Sequence, residues 1–167
     1  MKPADVIPFD LDFLNVREDY QVDPANRFYV EDYVHGRCHL FALALAKATQ
    51  YKIGIFVDED CIPEDGDTPI RVLVHAFCYV KDDLVIDARG IRCKVDLENE
   101  FEGMAMEFAE LEGEAAEAQL QQWMAEGGCC SLLEGEEKAL GAYVRDMRRN
   151  GLLAAPRGVA ELSPSIG

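Results

Sequence analysis

The clearest pattern along the chain is a run of apolar helix formers from Leu40 to Ala48, which directly follows Gly36-Arg37-Cys38-His39. Nearly every position of this run is apolar, and leucine and alanine are among the strongest helix formers. A helix that is apolar on all sides is expected to be buried in the middle of a domain. The pattern therefore predicts a central helix with Cys38 in its first turn.

Three runs downstream of this helix are typical of β-strands. Residues 52–57, 70–80 and 84–88 are short and rich in β-branched and aromatic side chains. The first strand is followed by an acidic, turn-rich surface loop over 58–68. Only Lys81-Asp82-Asp83 separates the second and third strands, so we expect them to form an antiparallel hairpin.

The pattern changes to helical after Gly90. Apolar residues recur at intervals of three or four over 97–118, with glutamates on the other face. This pattern predicts an amphipathic helix, either continuous or interrupted at Gly113, that ends at Gly127-Gly128. Ser131 followed by Glu134 has the spacing of a capping box, and it predicts the start of a second helix that ends near Gly151.

Together these elements predict an α+β fold, in which a central helix packs on a small antiparallel sheet and helices near the C-terminal end cover or extend it. We expect a single domain over residues 1–151, with its core in 33–91 and a helical extension in 96–150. Residues 152–167 are rich in Ala, Pro, Gly and Ser, and we expect a flexible tail there.

The net charge of the chain indicates which classes of partner it can attract. The 167 residues contain 32 acidic and 16 basic side chains, a formal net charge of −16. Nucleic acid and anionic membrane surfaces would be repelled, whereas a basic protein would be attracted. No stretch is apolar enough to span a membrane, and the six cysteines include no CxxC pair. We expect a cytoplasmic protein with free thiols, no membrane contact and no cofactor.

Three residues have the chemistry of a nucleophile, a base and an orienting carboxylate. A thiol at a helix N-terminus is activated by the helix dipole and by nearby cations. His75 and Asp87 stand in otherwise apolar strands, where polar groups need partners. If the hairpin loop has an odd length, as 81–83 does, the two side chains share one face; a two-residue loop would put them on opposite faces. The functional interpretation requires the first register.

Three short segments resemble the papain-like and transglutaminase-like cysteine enzymes, which use cysteine, histidine and aspartate in this chain order. Gly36–Ala42 is similar to their Gly-x-Cys-x-x-aromatic-Ala helix start, and His75-Ala76-Phe77 is similar to their His-Ala-aromatic strand. Ile86–Gly90 takes the place of their hydrophobic-Asp segment. The resemblance covers residues 33–91, about a third of the chain.

The resemblance implies a role for each residue: Cys38 is the nucleophile, His75 the general base and acid, and Asp87 the group that holds the imidazole. The backbone N–H of Cys38 would be one oxyanion donor. The expected activity is that of a cysteine-dependent hydrolase or acyltransferase on an amide or ester of a protein or peptide. A protease, a deamidase and a transglutaminase-like enzyme all remain open.

The sequence leaves the second oxyanion donor open among His35, Asn26 and Gln21. Arg89 and Arg92 flank Gly90 near the predicted site, where they either bind a substrate carboxylate or offset the local acidity.

Alternative interpretations use the same residues. A zinc site would use His35, Cys38, His39 and His75 as its ligands. Cys129-Cys130 is either a redox pair or part of an ordinary loop. The rival function is a non-catalytic acidic protein that occupies a basic or nucleic-acid-binding surface of a partner. A further possibility is an enzyme fold that has no activity.

Overall fold

The computed structural model describes residues 9–10, 15–16, 18–23, 25, 27–102 and 108–153 of the chain. They form an α+β fold, as the sequence predicted. The strands are β1 (Phe9–Asp10), β2 (Asn15–Val16), β3 (Gln21–Asp23), β4 (Phe28–Tyr29), β5 (Lys52–Cys61), β6 (Ile70–Lys81), β7 (Leu84–Asp87), β8 (Gly90–Cys93) and β9 (Ala109–Glu112). The helices are α1 (Cys38–Thr49), α2 (Lys94–Glu102), α3 (Glu114–Glu126) and α4 (Glu136–Arg149), with a 3-10 turn at Val30–Tyr33. None of the helices in these ranges is both long and apolar enough to cross a membrane.

The main sheet has five antiparallel strands in the order β8-β7-β6-β5-β9. Two small hairpins, β1 with β2 and β3 with β4, form separate two-stranded sheets. Strand β6 is central, with β5 on one side and β7 on the other. The middle of the sheet thus contains the strand that carries His75.

The β6–β7 hairpin forms as predicted, but its turn does not have the predicted length. Lys81 pairs with Leu84, which leaves a turn of two residues, and a register shift follows between Tyr79 and Lys81. Beyond this shift Cys78 pairs with Ile86. The irregularity adds one residue to β6, and it restores the register in which His75 and Asp87 share a face.

Helix α1 packs on one face of the sheet and forms the larger hydrophobic core. Leu45 of the helix and Ile55 and Ala76 of the sheet are buried in this core. The chain after α4 joins the same core, because Leu152 and Leu153 are also buried. The packed part of the chain therefore extends past residue 151, and the rest of the predicted tail, 154–167, lies outside the described residues.

A second, smaller core is built around α2. Leu97 and Phe101 of that helix pack with Phe56, Phe77 and Val85 of the sheet. The sheet is thus covered on both faces by apolar side chains, one cluster around α1 and one around α2.

The continuous form of the amphipathic helix predicted over 97–118 is wrong, whereas the alternative of an interruption at Gly113 is confirmed, because Gly113 is the N-cap of α3. Helix α2 ends at Glu102, β9 pairs with β5 at the edge of the main sheet, and α3 begins only at Glu114. The apolar positions of this region contact two different surfaces of the fold, and their spacing imitates one helical face. Pairing with an exposed sheet edge outweighed the local helical pattern.

The capping box predicted at Ser131 and Glu134 is also wrong. Helix α4 begins at Glu136, and its N-cap is Gly135, which has φ +84°. The carboxylate that accepts a backbone N–H near this helix start is that of Glu136, which binds the N–H of Leu133 at 3.0 Å. A carboxylate does accept a backbone N–H from three residues earlier, as in a capping box, but the carboxylate belongs to Glu136 and the N–H to Leu133.

Candidate active site

Cys38 is the first residue of α1, as the sequence predicted. Gly36 lies in the turn before the helix and has φ +91°, a backbone conformation that residues with a side chain rarely adopt. The first N–H groups of a helix have no partner within it, and they attract negative charge. The backbone therefore places the Cys38 thiol where a thiolate is stabilised. The side chain is only 3% exposed.

His75 and Asp87 form a buried pair on neighbouring strands. Nε2 of His75 lies 3.1 Å from Oδ2 of Asp87, and neither side chain is more than 1% exposed. The imidazole also stacks on Phe101 of α2, with 5.0 Å between the ring centroids. The contact with Asp87 confirms the predicted proximity of the two residues. The stacking on Phe101 fixes the plane of the imidazole ring.

The bond to Asp87 determines the tautomer of His75. A carboxylate only accepts hydrogen bonds, so Nε2 must be the protonated nitrogen of the neutral ring. Nδ1 is buried and has no hydrogen-bond partner of regular geometry among the described residues. Nδ1 is thus the nitrogen left to exchange a proton with the Cys38 thiol.

The electrostatics of Cys38 and His75 favour an ion pair. Burial raises the pKa of Cys38, but the neighbouring imidazoles of His39 and His75 and the charge of His75 outweigh burial and lower this pKa to about 6. Burial lowers the pKa of His75, but Asp87 and Cys38 more than offset it, and this pKa rises to about 9. Between these two values thiolate and imidazolium coexist.

Asp87 is itself held by Arg89. Nη2 of Arg89 lies 2.7 Å from Oδ2 of Asp87, and the backbone N–H of Arg89 donates to Oδ1 at 2.9 Å. Burial raises the pKa of Asp87, but the charge of Arg89 and the contact with His75 hold this pKa far below its usual range. The carboxylate thus stays ionised while His75 gains and loses a proton.

The structure favours the second interpretation of Arg89 and Arg92, in which they offset nearby carboxylates and do not bind a substrate. Arg89 is buried, and its remaining Nη1 donates to Glu100 at 2.9 Å. Arg92 also contacts Glu100, at 2.6 Å. Since Arg89 is committed to two carboxylates, it supports Asp87 and is not available for a substrate carboxylate.

The connection between α3 and α4, residues 127–135, lies over the N-terminal end of α1, and we call it the covering segment. The carbonyl oxygen of Cys130 is 2.7 Å from Nε2 of His39. The Cys130 thiol contacts the carbonyl oxygen of Gly36 at 3.7 Å. The charge of Cys38 also raises the pKa of Cys129, second to burial. Nη1 of Arg37 donates to the Cys130 sulfur at 3.4 Å, so the covering segment contacts both sequence neighbours of Cys38.

Glu136 fastens the covering segment to the fold. Its carboxylate is completely buried, accepts from the Tyr33 hydroxyl at 2.6 Å and forms an ion pair with Arg37, the residue before Cys38. This ion pair was not predicted, because the two residues are 99 positions apart in the chain. A glutamate at the start of a helix usually faces solvent, so the sequence contained no signal of its burial.

An open groove lies beside this site. A cavity of about 880 Å³ runs between α1, α3 and α4, lined by apolar side chains such as Leu40, Met124 and Leu140. Neither Cys38, His75 nor Asp87 lines it. Because Cys38 is only 3% exposed, the thiol is covered in this conformation, and a substrate needs a movement of the chain to reach it.

The other predicted site residues are placed apart from the thiol or outside the described residues. His35 is exposed and precedes α1. Gln21 is exposed on β3, and Asn26 lies outside the described residues. Cys129 and Cys130 are both free thiols. Among the described residues no group of His, Cys, Asp and Glu has the geometry to hold a metal ion, so the zinc interpretation finds no support there.

Comparison with known proteins leaves the resemblance to cysteine enzymes as a prediction. No protein-family model, curated protein or solved structure matches this chain. Any assignment of function therefore rests on the geometry of the site.

Proposed function

We propose that this protein is a cysteine-dependent hydrolase or acyltransferase that acts on an amide or ester, with the papain-like or transglutaminase-like arrangement of Cys38, His75 and Asp87. The observation that carries the proposal is the buried His75–Asp87 pair, 3.1 Å apart, whose second imidazole nitrogen is left to the Cys38 thiol at a helix N-terminus. Nucleophile, base and orienting group occur in this order in such enzymes.

In the first half of the reaction the thiol proton moves from Cys38 to Nδ1 of His75. The thiolate sulfur attacks the substrate carbonyl carbon and forms a C–S bond, while the carbonyl oxygen becomes an oxyanion. The backbone N–H of Cys38 is in place to donate to that oxygen. The C–N or C–O bond then breaks, and Nδ1 of His75 returns its proton to the leaving group.

In the second half a water or an amine attacks the thioester carbon. Nδ1 of His75 takes the proton of this nucleophile, the C–S bond breaks, and the thiolate of Cys38 is restored. Asp87 stays ionised throughout, because Arg89 holds its charge. Water as the acceptor gives hydrolysis, and an amine gives acyl transfer.

We propose that the substrate is a protein or peptide and that the reaction takes place in a reducing compartment, the cytoplasm. The chemistry requires a reduced Cys38, and all six cysteines are free in the structure. Reducing compartments keep thiols in this state. The negative net charge of −16 favours a basic protein as the substrate over nucleic acid.

The alternative of a purely acidic binding protein uses the net charge but leaves the site unexplained. A binding surface does not need a buried thiol next to a histidine whose orientation is fixed by a carboxylate. Binding by charge would weaken steeply with salt and would survive the loss of Cys38. Thiol chemistry therefore distinguishes the two functions.

The experiment is the rate of iodoacetamide alkylation of each cysteine against pH. Trypsin isolates Cys38 in the peptide 38–47 and Cys78 in the peptide 72–81, so mass spectrometry separates the two thiols. We expect a midpoint near pH 6 for Cys38, because its pKa is about 6, whereas Cys78, whose pKa burial raises to about 12, stays unreactive. The plateau of the curve reports access, and the midpoint reports ionisation.

The matched variant is His75→Gln, which keeps a donor for Asp87 but removes Nδ1. We expect the Cys38 midpoint to rise by at least about one pH unit, which is a tenfold loss of thiolate below the midpoint. A wild-type midpoint near that of an ordinary thiol, about 8.5, would contradict the proposed function.

A further inference from the structure

The apolar groove between α1, α3 and α4 has no part in the proposed mechanism, although one end of it lies beside the candidate site. At that end the lining includes Leu40, two residues after Cys38, together with Ser131 and Leu132 of the covering segment. The covering segment itself contacts the first turn of α1. A molecule in the groove therefore contacts both the helix that carries the thiol and the segment that covers it.

The groove has the size and the walls of a binding site. Its volume is about 880 Å³, and cavities of about 300–1,000 Å³ with mostly apolar walls are typical of ligand sites. Apolar side chains reach it from α1, α3, α4 and the covering segment: Leu43, Ala44, Met124, Leu132 and Leu140. Leu132 is 42% exposed, so water reaches this apolar surface. An apolar side chain of a ligand would gain free energy by leaving water here.

A second cavity, of about 520 Å³, continues the groove toward the C-terminal end of α1. The two cavities share Leu43, Lys47 and Gln121 in their linings, and the second one reaches Gln50, the C-cap of α1. From Leu40 to Gln50 the helix rises by about 15 Å. This length corresponds to about four or five residues of an extended peptide, at about 3.3 Å per residue.

The charged side chains of the second cavity leave a surplus of negative charge. Both lysines that line it are paired with glutamates at 3.1 Å: Lys47 with Glu137, and Lys52 with Glu112. Glu114 and Glu117 of α3 also line it, and they form no ion pair with any other described residue. A cationic group is therefore attracted to this end of the groove.

We propose that the groove and the second cavity together bind an extended segment of the protein substrate, with apolar side chains next to the covering segment and a lysine or arginine beside Glu114 and Glu117. The inference rests on the proposed function, because it names the substrate class of the same site. Burial of the apolar side chains supplies affinity. The two carboxylates select, among apolar segments, those that have a cation about four residues away.

The fluorescence anisotropy of labelled pentapeptides with uncharged termini tests the groove without any need for catalysis. The probes are Leu-Leu-Ala-Ala-Lys and the peptide of reverse order, each with a control in which glutamate replaces lysine. We expect at least one lysine peptide to bind at least about tenfold more tightly than its glutamate control, because a like charge opposite two carboxylates is repelled. The double variant Glu114→Gln, Glu117→Gln should lose this difference.

Ala125→Phe tests the apolar part of the groove. Ala125 lies on α3, lines the groove and is exposed, so a phenylalanine there fills the groove without disturbing the core. We expect the affinity for the lysine peptide to fall at least about tenfold, because the added ring occupies the place of the apolar side chains. The matched control is Gln122→Phe, an exposed position of the same helix that lines neither cavity, and it should bind the peptide as the wild type does.

The outcomes separate this inference from the proposed function, because Cys38 does not line the groove and Cys38→Ala should bind the peptides as the wild type does. Equal affinities for the lysine and glutamate peptides, or no binding, would overturn the inference, and with a Cys38 alkylation midpoint near pH 6 the proposed function would stand. A dimer in sedimentation that dissociates in Ala125→Phe would then assign the groove to a second copy of this chain. The predicted peptide binding together with an ordinary Cys38 midpoint would instead overturn the proposed function.

Discussion

Cys38→Ala should reduce acyl transfer from an activated ester, such as a nitrophenyl ester, to the rate of the uncatalysed reaction. The thiolate forms the only covalent bond to the substrate in the proposed mechanism, and removing the nucleophile of such a triad costs at least about 10⁴-fold in rate. Folding should be retained, because the substitution removes one sulfur atom from the edge of the core. Release of nitrophenolate, with circular dichroism as the check of folding, measures both effects.

The matched control is Cys93→Ala. Cys93 is an exposed thiol at the end of β8, away from α1, and its removal should leave the rate unchanged. Equal rates for wild type and Cys38→Ala would show that another group reacts with the ester. A loss of rate only in Cys93→Ala would identify ordinary surface thiol chemistry.

Among the variants proposed here, Glu136→Leu should lower the free energy of unfolding the most. The carboxylate of Glu136 is fully buried and binds Tyr33, Arg37 and the backbone N–H of Leu133. Leucine leaves the hydroxyl and the mostly buried guanidinium without their acceptor, and breaking a buried ion pair in this way costs about 3–5 kcal/mol. We expect the free energy of unfolding in urea to fall by about 3 kcal/mol, the lower end of that range, because Arg37 keeps partial access to water.

The neighbouring position supplies the control. Glu137 forms an ion pair of 3.1 Å with Lys47, but both side chains are mostly exposed, at 68% and 79%. Exposed pairs contribute about 0–1 kcal/mol, so Glu137→Leu should change stability little. Glu136→Leu should also raise the plateau of Cys38 alkylation, because the covering segment loses its attachment. Equal stability of the two variants would contradict the role given to Glu136.

The candidate site could be predicted from the sequence as far as local pattern extends. An apolar helix after Gly36-Arg37-Cys38 and a short hairpin are local features, and both are present. The contact of His75 with Asp87 was predicted for an odd loop. The structure instead has a two-residue turn and a compensating register shift, which the sequence shows no sign of. The predicted contact of His75 with Asp87 is confirmed. The predicted odd length of the turn, on which that prediction depended, is wrong.

The parts that were missed depend on contacts between distant segments. The Arg37–Glu136 pair and the contact of Cys130 with His39 join α1 to the chain about 90 or more residues later. The spacing of apolar residues along the chain carries no information about such pairings. Glu136 is one of 32 acidic residues, and nothing in the sequence distinguishes this buried carboxylate from the exposed ones. Strand β9 was missed for a related reason, because only the exposed edge of β5 makes this short segment a strand.

The proposed function requires that Cys38 form a thioester with the acyl group of a substrate. The most direct measurement is to mix the protein with an activated ester near pH 7, quench with acid and locate the acyl group by mass spectrometry of tryptic peptides. We expect one acyl group on the peptide 38–47 that hydroxylamine removes, and none there in Cys38→Ala. Acylation confined to exposed thiols or lysines, with the peptide 38–47 unmodified, would show that the proposed function is wrong.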